Sequence, residues 1–459
     1  MVVGDMATGV DVVVLGAGPA GYVSAIRAAQ LGKEVVIVET NRVGGVCLNV
    51  GCIPSKALLT AADRVWKIRT AAEMGISAEN VSVDLSKMQQ WAQNVVDRLV
   101  KGVEQLLVGN GVEIVHGTGW FLDDHEVRIE GEYGAKRYAF EQCIIATGGT
   151  PAPRADLPFD GERVLTPQAA YRLTELPERV AVVGTDYIAV EVATFFGKLG
   201  VPVRLLLPDE KFPLPEFDVS VRRHLKSYLK KIGITIEPNV TDPAAAVADE
   251  PLVVVSNGII PNTADLRLEA VNVQPDENGF LPVNARMQTA NPMIFAVGDV
   301  TGTAGMADRA MKQGKVAAAV IAGQAAEYAP QAVSKVVWTE PEIAAVGLTA
   351  AEAEAAGYAV QTGHFPMAAN GRALMLNGGT GFVSTVAEKE SGVLLGATIV
   401  APRAAELIGE MALALEMGAT LTDVAETLHL HPGVSEAVQE SAEEALGTVV
   451  HIIGSRVAR

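Results

Sequence analysis

The sequence predicts an α/β protein in which one pattern of strand, glycine turn, helix and strand occurs twice, followed by a mixed α+β segment. The first copy occupies the first 40 residues and reads VDVVVLG, AGYVSAIRAAQLG and EVVIVE. The second begins near Leu176 and reads RVAVVG, IAVEVATFFGKLG and PVRLLL. Short β-branched runs indicate buried strands, and apolar positions at helical spacing indicate the helices between them. Two such βαβ units predict two Rossmann-like halves in one chain.

Composition narrows the class of protein. The chain has 459 residues, with 36 basic and 54 acidic side chains and a formal net charge of −18. This length predicts about three to four structural units, and the acidic excess argues against a nucleic-acid or anionic-membrane partner. Apolar windows such as VVVLGAGPAG are interrupted by glycine, so we expect no membrane span. The start, MVVGDMATG, has no secretory signal pattern, which favours a cytoplasmic enzyme.

The first glycine turn, GAGPAG, predicts a dinucleotide site. Gly16, Gly18 and Gly21 have the G-x-G-x-x-G spacing, and Glu39 ends the next strand, eighteen positions after Gly21. The glycines allow the backbone to approach a pyrophosphate at a helix N-terminus, and the carboxylate can accept both hydroxyls of an adenosine ribose. The glycines alone would also fit a tight structural turn. Strand, helix and acid together favour the dinucleotide.

Two cysteines lie close together in GGVCLNVGCIPSK, which suggests redox or metal chemistry. Four residues separate Cys47 from Cys52, and Cys52 is predicted to begin a helix, whose N-terminus stabilises a thiolate. We expect Cys47 to lie on a looser segment from which it can reach a substrate. A zinc site would need a further Cys or His cluster at ligand spacing, so no metal site is predicted. Cys143, in CIIATGG, is expected to be a small buried apolar residue.

These motifs resemble the flavin-dependent pyridine nucleotide disulfide oxidoreductases, and the cysteine stretch is most similar to the dihydrolipoyl dehydrogenase branch of that family. The resemblance extends over nearly the whole chain, through IIATGG, IFAVGD, ANGRAL and LHLHPGVSE. It implies FAD as cofactor, with NAD as the electron acceptor of the branch. It also implies a redox-active disulfide between Cys47 and Cys52, and a pair of Lys56 with Glu191 beside the flavin.

The resemblance implies further contacts with FAD. Besides the first glycine turn, Glu39 and Lys56, the residues expected to contact the cofactor are Gly119, Thr147, Gly148, Asp299 and Ala307. Asp299 would meet the ribityl chain. Asp308, in MADRA, stands where the branch usually has a histidine, and this difference affects the electrostatics of the flavin site.

The tail sequence HLHPGVSE supplies a candidate catalytic base. An imidazole held in one tautomer by a carboxylate can take a proton from a dithiol at neutral pH. By residue type alone a single histidine is more often structural, but the resemblance makes His431 the base and Glu436 its orienter, and leaves His429 to packing. It implies that this base serves the cysteines of the other subunit of a homodimer. It also implies partners that carry lipoyl groups, in a 2-oxoacid dehydrogenase or glycine cleavage complex.

The second glycine turn departs from the dinucleotide pattern. Residues 184–189 read GTDYIA, so Asp186 replaces the central glycine and would bring a carboxylate to the place of a diphosphate. The next strand ends in Leu207, where an NAD site usually has an acid, and Arg204 and Lys211 do not make an NADP cluster. Asp186 could instead cap the following helix.

The residues that follow this turn also depart from the pattern of an NAD site. Residues 236–253 are short and rich in Ala, Asp and Pro where relatives have a small antiparallel layer, and Ile259 and Ile260 replace a basic pair. Tyr187 and Glu191, which face the flavin in relatives, are kept. We therefore predict a folded domain in which NAD binding is weakened, altered or lost. The remaining NAD contacts would be Gly184, Tyr187 and Gly258.

The predicted fold is thus α/β, with two Rossmann-like dinucleotide-binding domains and a C-terminal α+β dimerisation domain. The expected boundaries are 1–150 for the FAD-binding domain, 151–265 for a shortened NAD-binding-like domain, 266–330 for a central segment that completes the FAD site, and 331–459 for the dimerisation domain. Two other functions stay open. One is a related disulfide reductase of the glutathione or mercuric type, and the other is a flavoprotein that docks to a lipoyl-bearing complex as a scaffold or redox sensor without turnover.

Overall fold

A computed structural model describes residues 6–132, 134–302 and 305–454, and its contacts divide the chain into two compact units. The first unit contains the described residues up to Leu176 together with Ser256–Ala329. The second contains Pro177–Val255 together with the described residues from Pro330 onward. The expected lack of a secretory signal concerns a segment whose first five residues lie outside the described part. The four predicted domain boundaries remain predictions.

The elements follow one another as the two βαβ patterns predict. In chain order, the strands are β1 (Thr8–Leu15), β2 (Val35–Glu39), β3 (Glu113–His116), β4 (Thr118–Phe121), β5 (Glu126–Gly131), β6 (Gly134–Ile145), β7 (Gly149–Pro151), β8 (Val164–Leu165), β9 (Val180–Val183), β10 (Val203–Leu207), β11 (Ile234–Pro238), β12 (Val253–Val255), β13 (Ile259–Pro261), β14 (Ile294–Ala296), β15 (Lys335–Val337), β16 (Glu342–Gly347), β17 (Val360–Pro366), β18 (Phe382–Glu388) and β19 (Leu394–Ala401). The α-helices are α1 (Pro19–Gln30), α2 (Gly45–Asn49), α3 (Cys52–Arg69), α4 (Leu85–Gly109), α5 (Pro167–Ala170), α6 (Tyr187–Leu199), α7 (Val219–Lys231), α8 (Pro243–Ala246), α9 (Ala307–Ile321), α10 (Ala350–Ala355), α11 (Gly371–Met375), α12 (Ala404–Glu416), α13 (Leu421–Glu426) and α14 (Glu436–Leu446). Short 3₁₀ turns occur at Ala71–Met74, Leu268–Val271, Gly298–Thr301 and Met367–Ala369.

The first unit is built on a seven-stranded sheet in the order β3-β2-β1-β6-β5-β4, with β14 also paired to β6. The strands β3, β2, β1, β6 and β14 run parallel, whereas β4, β5 and β6 form an antiparallel ribbon. Val12 and Val14 of β1 belong to the buried cluster shared with α1 and α9. Val13 and Leu15 belong to a second cluster, shared with β5 and β6. Burial of both faces explains why β1 is a nearly continuous apolar run.

The second unit contains the other βαβ pattern. Its strands are parallel in the order β11-β10-β9-β12. The helix α6 is buried from Ala189 to Leu199, in keeping with its apolar sequence. Residues 239–252, all described, contain α8 and no strand. The predicted lack of an antiparallel layer between 236 and 253 is confirmed.

The C-terminal part of the second unit is an antiparallel sheet in the order β15-β16-β19-β18-β17. The helix α12 packs on β16 and β19, and α14 packs on β17 and β18. Apolar positions at helical spacing are visible in both helices, which read AAELIGEMALALE and EAVQESAEEAL. Three shorter helices, α10, α11 and α13, are also present, and each begins at a polar cap: Thr349, Asn370 and Thr420. Each of these helices has only five or six residues, which is too short for a helical period to be recognised.

One stretch of the described residues is long and apolar enough to cross a membrane by composition alone, namely Gly45–Arg69. It consists of α2 and α3, which are interrupted at Val50 and Gly51. A single such stretch is weak support for a membrane span and does not show a membrane protein.

Candidate active site

The two neighbouring cysteines form a disulfide in the first unit. Cys47 and Cys52 are joined, with their Cα atoms 4.7 Å apart. Cys52 is the first residue of α3, as predicted, and no side chain caps that helix at Gly51. The positive end of the α3 dipole is therefore available to stabilise a thiolate on Cys52.

The expectation that Cys47 lies on a looser segment is wrong. Cys47 is the middle residue of the short helix α2. The Asn49 side-chain amide donates to the carbonyls of Val43 and Gly45, both at 3.0 Å, and so ties α2 to the preceding turn. Gly44 begins the helix with φ +99°, a conformation that disfavours other residues. Cys47 is thus held by local backbone order.

The third cysteine is separate from this pair. Cys143 is fully buried in β6, and its pKa is raised by desolvation. The prediction of a small buried apolar residue is confirmed. Among the described residues, no group of three His, Cys, Asp or Glu side chains is arranged to hold a metal ion.

The first glycine turn fits a bound dinucleotide. A Cβ atom at Gly21 would lie 1.8 Å from the carbonyl oxygen of Gly16, so Gly21 is required for α1 to pack on the turn. A Cβ atom at Gly18 would have only Gly45 Cα nearby, at 3.9 Å. Gly18 caps α1 without a side chain, which leaves the first N–H groups of that helix free of a side-chain acceptor. Open space and an uncapped helix N-terminus are what a pyrophosphate needs.

Glu39 is positioned at the end of β2 by the backbone. Its carboxylate accepts hydrogen bonds from the N–H groups of Ala17 and Asn41, both at 2.9 Å, and the residue is 9% exposed. Each carboxylate oxygen keeps a second lone pair. The group is therefore fixed in a direction from which it can accept ribose hydroxyls.

Two other residues expected at FAD lie at the ends of helical segments. Asp299 belongs to the turn Gly298–Thr301, accepts from the N–H of Gly305 at 3.2 Å, and has a pKa raised by burial. Ala307 is the first residue of α9, which begins at Met306 without a side-chain cap. Asp308 follows and is exposed.

The remaining FAD candidates lie on strands and turns of the first unit. Gly119 is in β4, where a Cβ atom would approach the Leu15 side chain to 3.0 Å. The Thr147 hydroxyl donates to the carbonyl of Asn262 at 2.8 Å, and the Asn262 amide donates back to the carbonyl of Thr147 at 2.9 Å. Gly148 adopts φ +66°. This reciprocal pair fixes the turn at the end of β6.

The two members of the expected ion pair lie in different units. Lys56 is in α3, one turn after Cys52. Glu191 is in α6, is 2% exposed, and accepts a hydrogen bond from the N–H of Trp338 at 3.1 Å. Their pairing remains a prediction.

The candidate base and its carboxylate are in contact. His431 Nδ1 lies 2.8 Å from Glu436 Oε1, and the other carboxylate oxygen accepts from the N–H of Gly433 at 2.8 Å. The imidazole is 82% exposed. Glu436 has a lowered pKa because its hydrogen bonds with Gly433 and His431 outweigh its desolvation. The ionised Glu436 therefore orients the imidazole, so that Nε2 faces outward.

Two further histidine–glutamate pairs lie in the second unit. The side chain of His429 is almost fully buried, with Nε2 2.8 Å from Glu410 Oε1, which agrees with the packing role expected for it. His451 Nδ1 contacts Glu440 Oε1, and this pair of an exposed histidine with a buried glutamate was not predicted. Glu440 and His451 are eleven residues apart, with His451 beyond the C-terminus of α14, so helical spacing gave no signal for this contact.

The helix α6, which follows the second glycine turn, is capped by a side chain of that turn. Asp186 is the N-cap residue of α6, and its carboxylate accepts from the N–H of Ala189 at 2.8 Å. The capping alternative is therefore confirmed. Gly184 has φ +156°, and Tyr187 is the first residue of α6. Gly258 is in the first unit, with φ +78°, and its carbonyl accepts from the N–H of Ala152.

Residues 10–314 match the family described as pyridine nucleotide-disulphide oxidoreductase. The chain belongs to this family. Residues 333–442 match the dimerisation domain of the same family. Over 98% of its length the chain is 43% identical to dihydrolipoyl dehydrogenase 2 of Haloarcula marismortui, covering 100% of that protein. Over 99% of its length it is 42% identical to dihydrolipoyl dehydrogenase of Geobacillus stearothermophilus, again covering 100%.

Solved structures agree with the family fold. LpdA from Mycobacterium tuberculosis is similar with a TM-score of 0.87 and 26% identity, covering 95% of this chain and 99% of that one. The HOCl-induced flavoprotein disulfide reductase RclA from Escherichia coli has a TM-score of 0.82 at 23% identity, covering 94% and 99%, and supports the fold alone. The predicted family, fold class and FAD cofactor are confirmed.

Proposed function

We propose that this protein oxidises dihydrolipoyl groups through the Cys47–Cys52 disulfide, as a flavin-dependent dihydrolipoyl dehydrogenase. The observation that carries the proposal is the disulfide set at the uncapped N-terminus of α3. Relatives that match over their full length at 42–43% identity bear the name dihydrolipoyl dehydrogenase. The acceptor of that branch is NAD.

The disulfide and His431 account for the chemistry of the dithiol. His431 Nε2 would take the proton from one substrate thiol, and the resulting thiolate would attack Cys47 Sγ. The new bond between substrate sulfur and Cys47 forms as the Cys47–Cys52 bond breaks, and the electron pair stays on Cys52 Sγ. The second substrate thiol then attacks the substrate sulfur bound to Cys47, closes the lipoyl disulfide and releases Cys47 as a thiol.

Each protein group in this sequence has a local reason for its role. The α3 N-terminus stabilises the Cys52 thiolate through its dipole. Glu436 holds the Nδ1 proton of His431, which leaves Nε2 as the basic nitrogen and stabilises the imidazolium that forms. Such an orienting carboxylate is the usual partner of a general base that works near neutral pH.

The cofactor would be held by the first unit. Gly16, Gly18 and Gly21 with the α1 N-terminus would bind the pyrophosphate, and Glu39 the adenosine ribose. The groups proposed for the flavin half are Lys56, Gly119, Thr147, Gly148, Asp299 and Ala307, together with Glu191. When bound, FAD supplies a two-electron carrier between the dithiol and the final acceptor.

The proposal includes a homodimer in which His431 of one subunit serves the cysteines of the other, supported by the dimerisation domain at residues 333–442. The substrate would be a lipoyl-bearing subunit of a 2-oxoacid dehydrogenase or glycine cleavage complex. We place the protein in the cytoplasm, because its cysteine usage and acidic surface suit a reducing, aqueous compartment. Nucleic acid and membrane are not proposed as partners.

An anaerobic titration of the purified flavoprotein with dihydrolipoamide tests the proposal. We expect the flavin absorbance to fall and a long-wavelength thiolate-to-flavin band to appear. The Cys47→Ser variant should retain FAD and a Cys52 thiolate but lose lipoamide turnover. Unchanged turnover in this variant would refute the assignment of Cys47. A wild-type protein that is reduced once and never turns over with any acceptor would favour the sensor or scaffold alternative.

A further inference from the structure

We infer that Asp186 makes the second glycine turn selective against dinucleotide diphosphates, so that the protein binds NAD far more weakly than the same turn with glycine at this position would. This inference rests on the proposed function, because it concerns the electron acceptor of the same reaction. It assigns a specificity-determining role to one side chain.

The two glycine turns of the chain provide an internal comparison. The helices that follow them are similar in length, with 12 residues in α1 and 13 in α6. The N-cap of α1 is Gly18, which has no side chain, whereas the N-cap of α6 is Asp186. The Asp186 carboxylate accepts from the Ala189 N–H at 2.8 Å. A diphosphate at α6 would have to compete with that carboxylate for the same donors.

Charge adds to this competition. Glu216, in the segment after β10, has a pKa raised first by desolvation and further by the negative charge of Asp186, so the two side chains repel each other when both are ionised. Lys335 and Arg222 act in the opposite direction. Arg222, however, is engaged by Glu210 at 3.0 Å. A ligand with two negative charges would therefore meet the carboxylate of Asp186 at this turn.

The basic side chain of the neighbouring strand β10 is bound to other carboxylates. Arg204 of β10 lies 2.7 Å from both Glu237 and Glu250, and these hydrogen bonds raise its pKa. β10 then ends at Leu207, which is fully buried and apolar. The strand thus presents neither the acid that accepts ribose hydroxyls nor a cation for a phosphate.

The turn also has little freedom to rearrange. The N–H of Leu214 donates to the carbonyl of Thr185 at 2.7 Å, and Leu214 is fully buried with φ +58°. A buried leucine keeps this left-handed conformation only where its surroundings impose it. The segment after β10 therefore holds Thr185, the residue next to Asp186, in place.

Three variants of the FAD-loaded protein test the inference by calorimetric titration with NAD. Asp186→Gly removes both charge and cap and restores the G-x-G-x-x pattern, and glycine is among the residues that helix N-caps accept well. Asp186→Asn removes the charge and keeps a cap. Asp84→Gly is the matched control, because Asp84 caps α4 in the first unit by the same contact, with the Lys87 N–H at 3.0 Å.

We expect Asp186→Gly to bind NAD at least tenfold more tightly than the wild type, and Asp84→Gly to bind it as the wild type does. The NAD affinity of Asp186→Asn should equal that of the wild type if competition for the N–H donors dominates. It should equal that of Asp186→Gly if charge dominates. Both results support the inference. An Asp186→Gly variant whose melting temperature matches the wild type and whose NAD affinity is unchanged or weaker would overturn it, as would micromolar wild-type binding equal to that of this variant.

Failure of the inference and failure of the proposed function are distinguishable. Reduction of the flavin by dihydrolipoamide does not involve the second turn. If the wild type is reduced by dihydrolipoamide while Asp186→Gly gains no NAD affinity, only the inference fails. If dihydrolipoamide does not reduce the flavin of any variant, the proposed function fails, whatever the NAD titrations show.

Discussion

Replacing Gly18 or Gly21 of the first turn by alanine should impair the protein in two different ways. In Gly21→Ala, the new Cβ would lie 1.8 Å from the carbonyl oxygen of Gly16 and 3.3 Å from the Ala146 side chain. The helix α1 and the turn must then move apart, and overpacking of this kind costs about 1–3 kcal/mol, with a rigid backbone oxygen at the upper end. We expect the apoprotein itself to lose stability.

In Gly18→Ala, the new Cβ would be 3.9 Å from Gly45 Cα, and the backbone at φ −68° and ψ −177° accepts alanine. The cost to the helix cap should stay below about 1 kcal/mol. The space that the methyl group fills is the space through which a pyrophosphate reaches the α1 N–H groups. We therefore expect Gly18→Ala to fold but to bind FAD at least about tenfold more weakly, a loss of about 1.4 kcal/mol.

The assay separates the two effects by titrating each apoprotein with FAD and by measuring urea unfolding of the apoprotein alone. Gly102→Ala is the control, because a Cβ at Gly102 in the middle of α4 meets nothing within 4 Å. That change should leave FAD affinity unaltered and raise stability by about 0.8–1 kcal/mol. Full FAD affinity in Gly18→Ala, or wild-type apoprotein stability in Gly21→Ala, would refute the reasoning.

Three other predictions concern the rest of the chain. Cys143 should resist iodoacetamide in the native protein, because burial raises its pKa, and alkylation at a rate equal to that in urea would contradict this. Glu436→Gln should lower kcat for dihydrolipoamide oxidation about ten- to a hundredfold, since a hydrogen bond to a charged group is worth about 1.5–3 kcal/mol, with FAD content unchanged; a wild-type kcat would contradict the orienting role next to His431. Arg204→Met should lower the free energy of unfolding by about 1–3 kcal/mol, because Glu250, only 7% exposed, loses one of its cations. The loss should be smaller than for a fully buried ion pair, because the Arg204 side chain is 34% exposed. An unchanged urea midpoint would contradict this.

The βαβ units were predictable because their strands are buried on both faces, and this burial requires an apolar side chain at every buried strand position. Val12 to Leu15 face two buried clusters in alternation, so each position must be apolar, and the run cannot be mistaken for a surface strand. The helix around Cys47 was missed for the opposite reason. Five residues show no helical period, and α2 depends on contacts of one side chain, Asn49, that no pattern displays.

In the candidate site, too, one histidine–glutamate contact could be predicted from the sequence and another could not. The contact of His431 with Glu436 follows from five residues of spacing and from the resemblance. The contact of His451 with Glu440 joins α14 to a segment beyond its C-terminus, eleven residues away, and it depends on how the chain turns after Gly447. Spacing predicts contacts within one turn or one helix face, because there the backbone alone brings the side chains together.

The first and second glycine turns show that the same kind of helix start can be built with or without a side-chain cap. Every helix begins with N–H groups that need acceptors. At α1, Gly18 offers no side-chain acceptor, so those groups are left for a ligand, whereas at α6 the Asp186 carboxylate satisfies one of them within the chain. An aspartate and a glycine at the N-cap differ in helix stability by only about a few tenths of a kcal/mol, so both allow the fold, and similarity of the overall fold carries no information about which one is present. The residue at the N-cap decides whether the first N–H groups of the helix are left for a ligand. That residue can be identified in the sequence only when the start of the helix is already known.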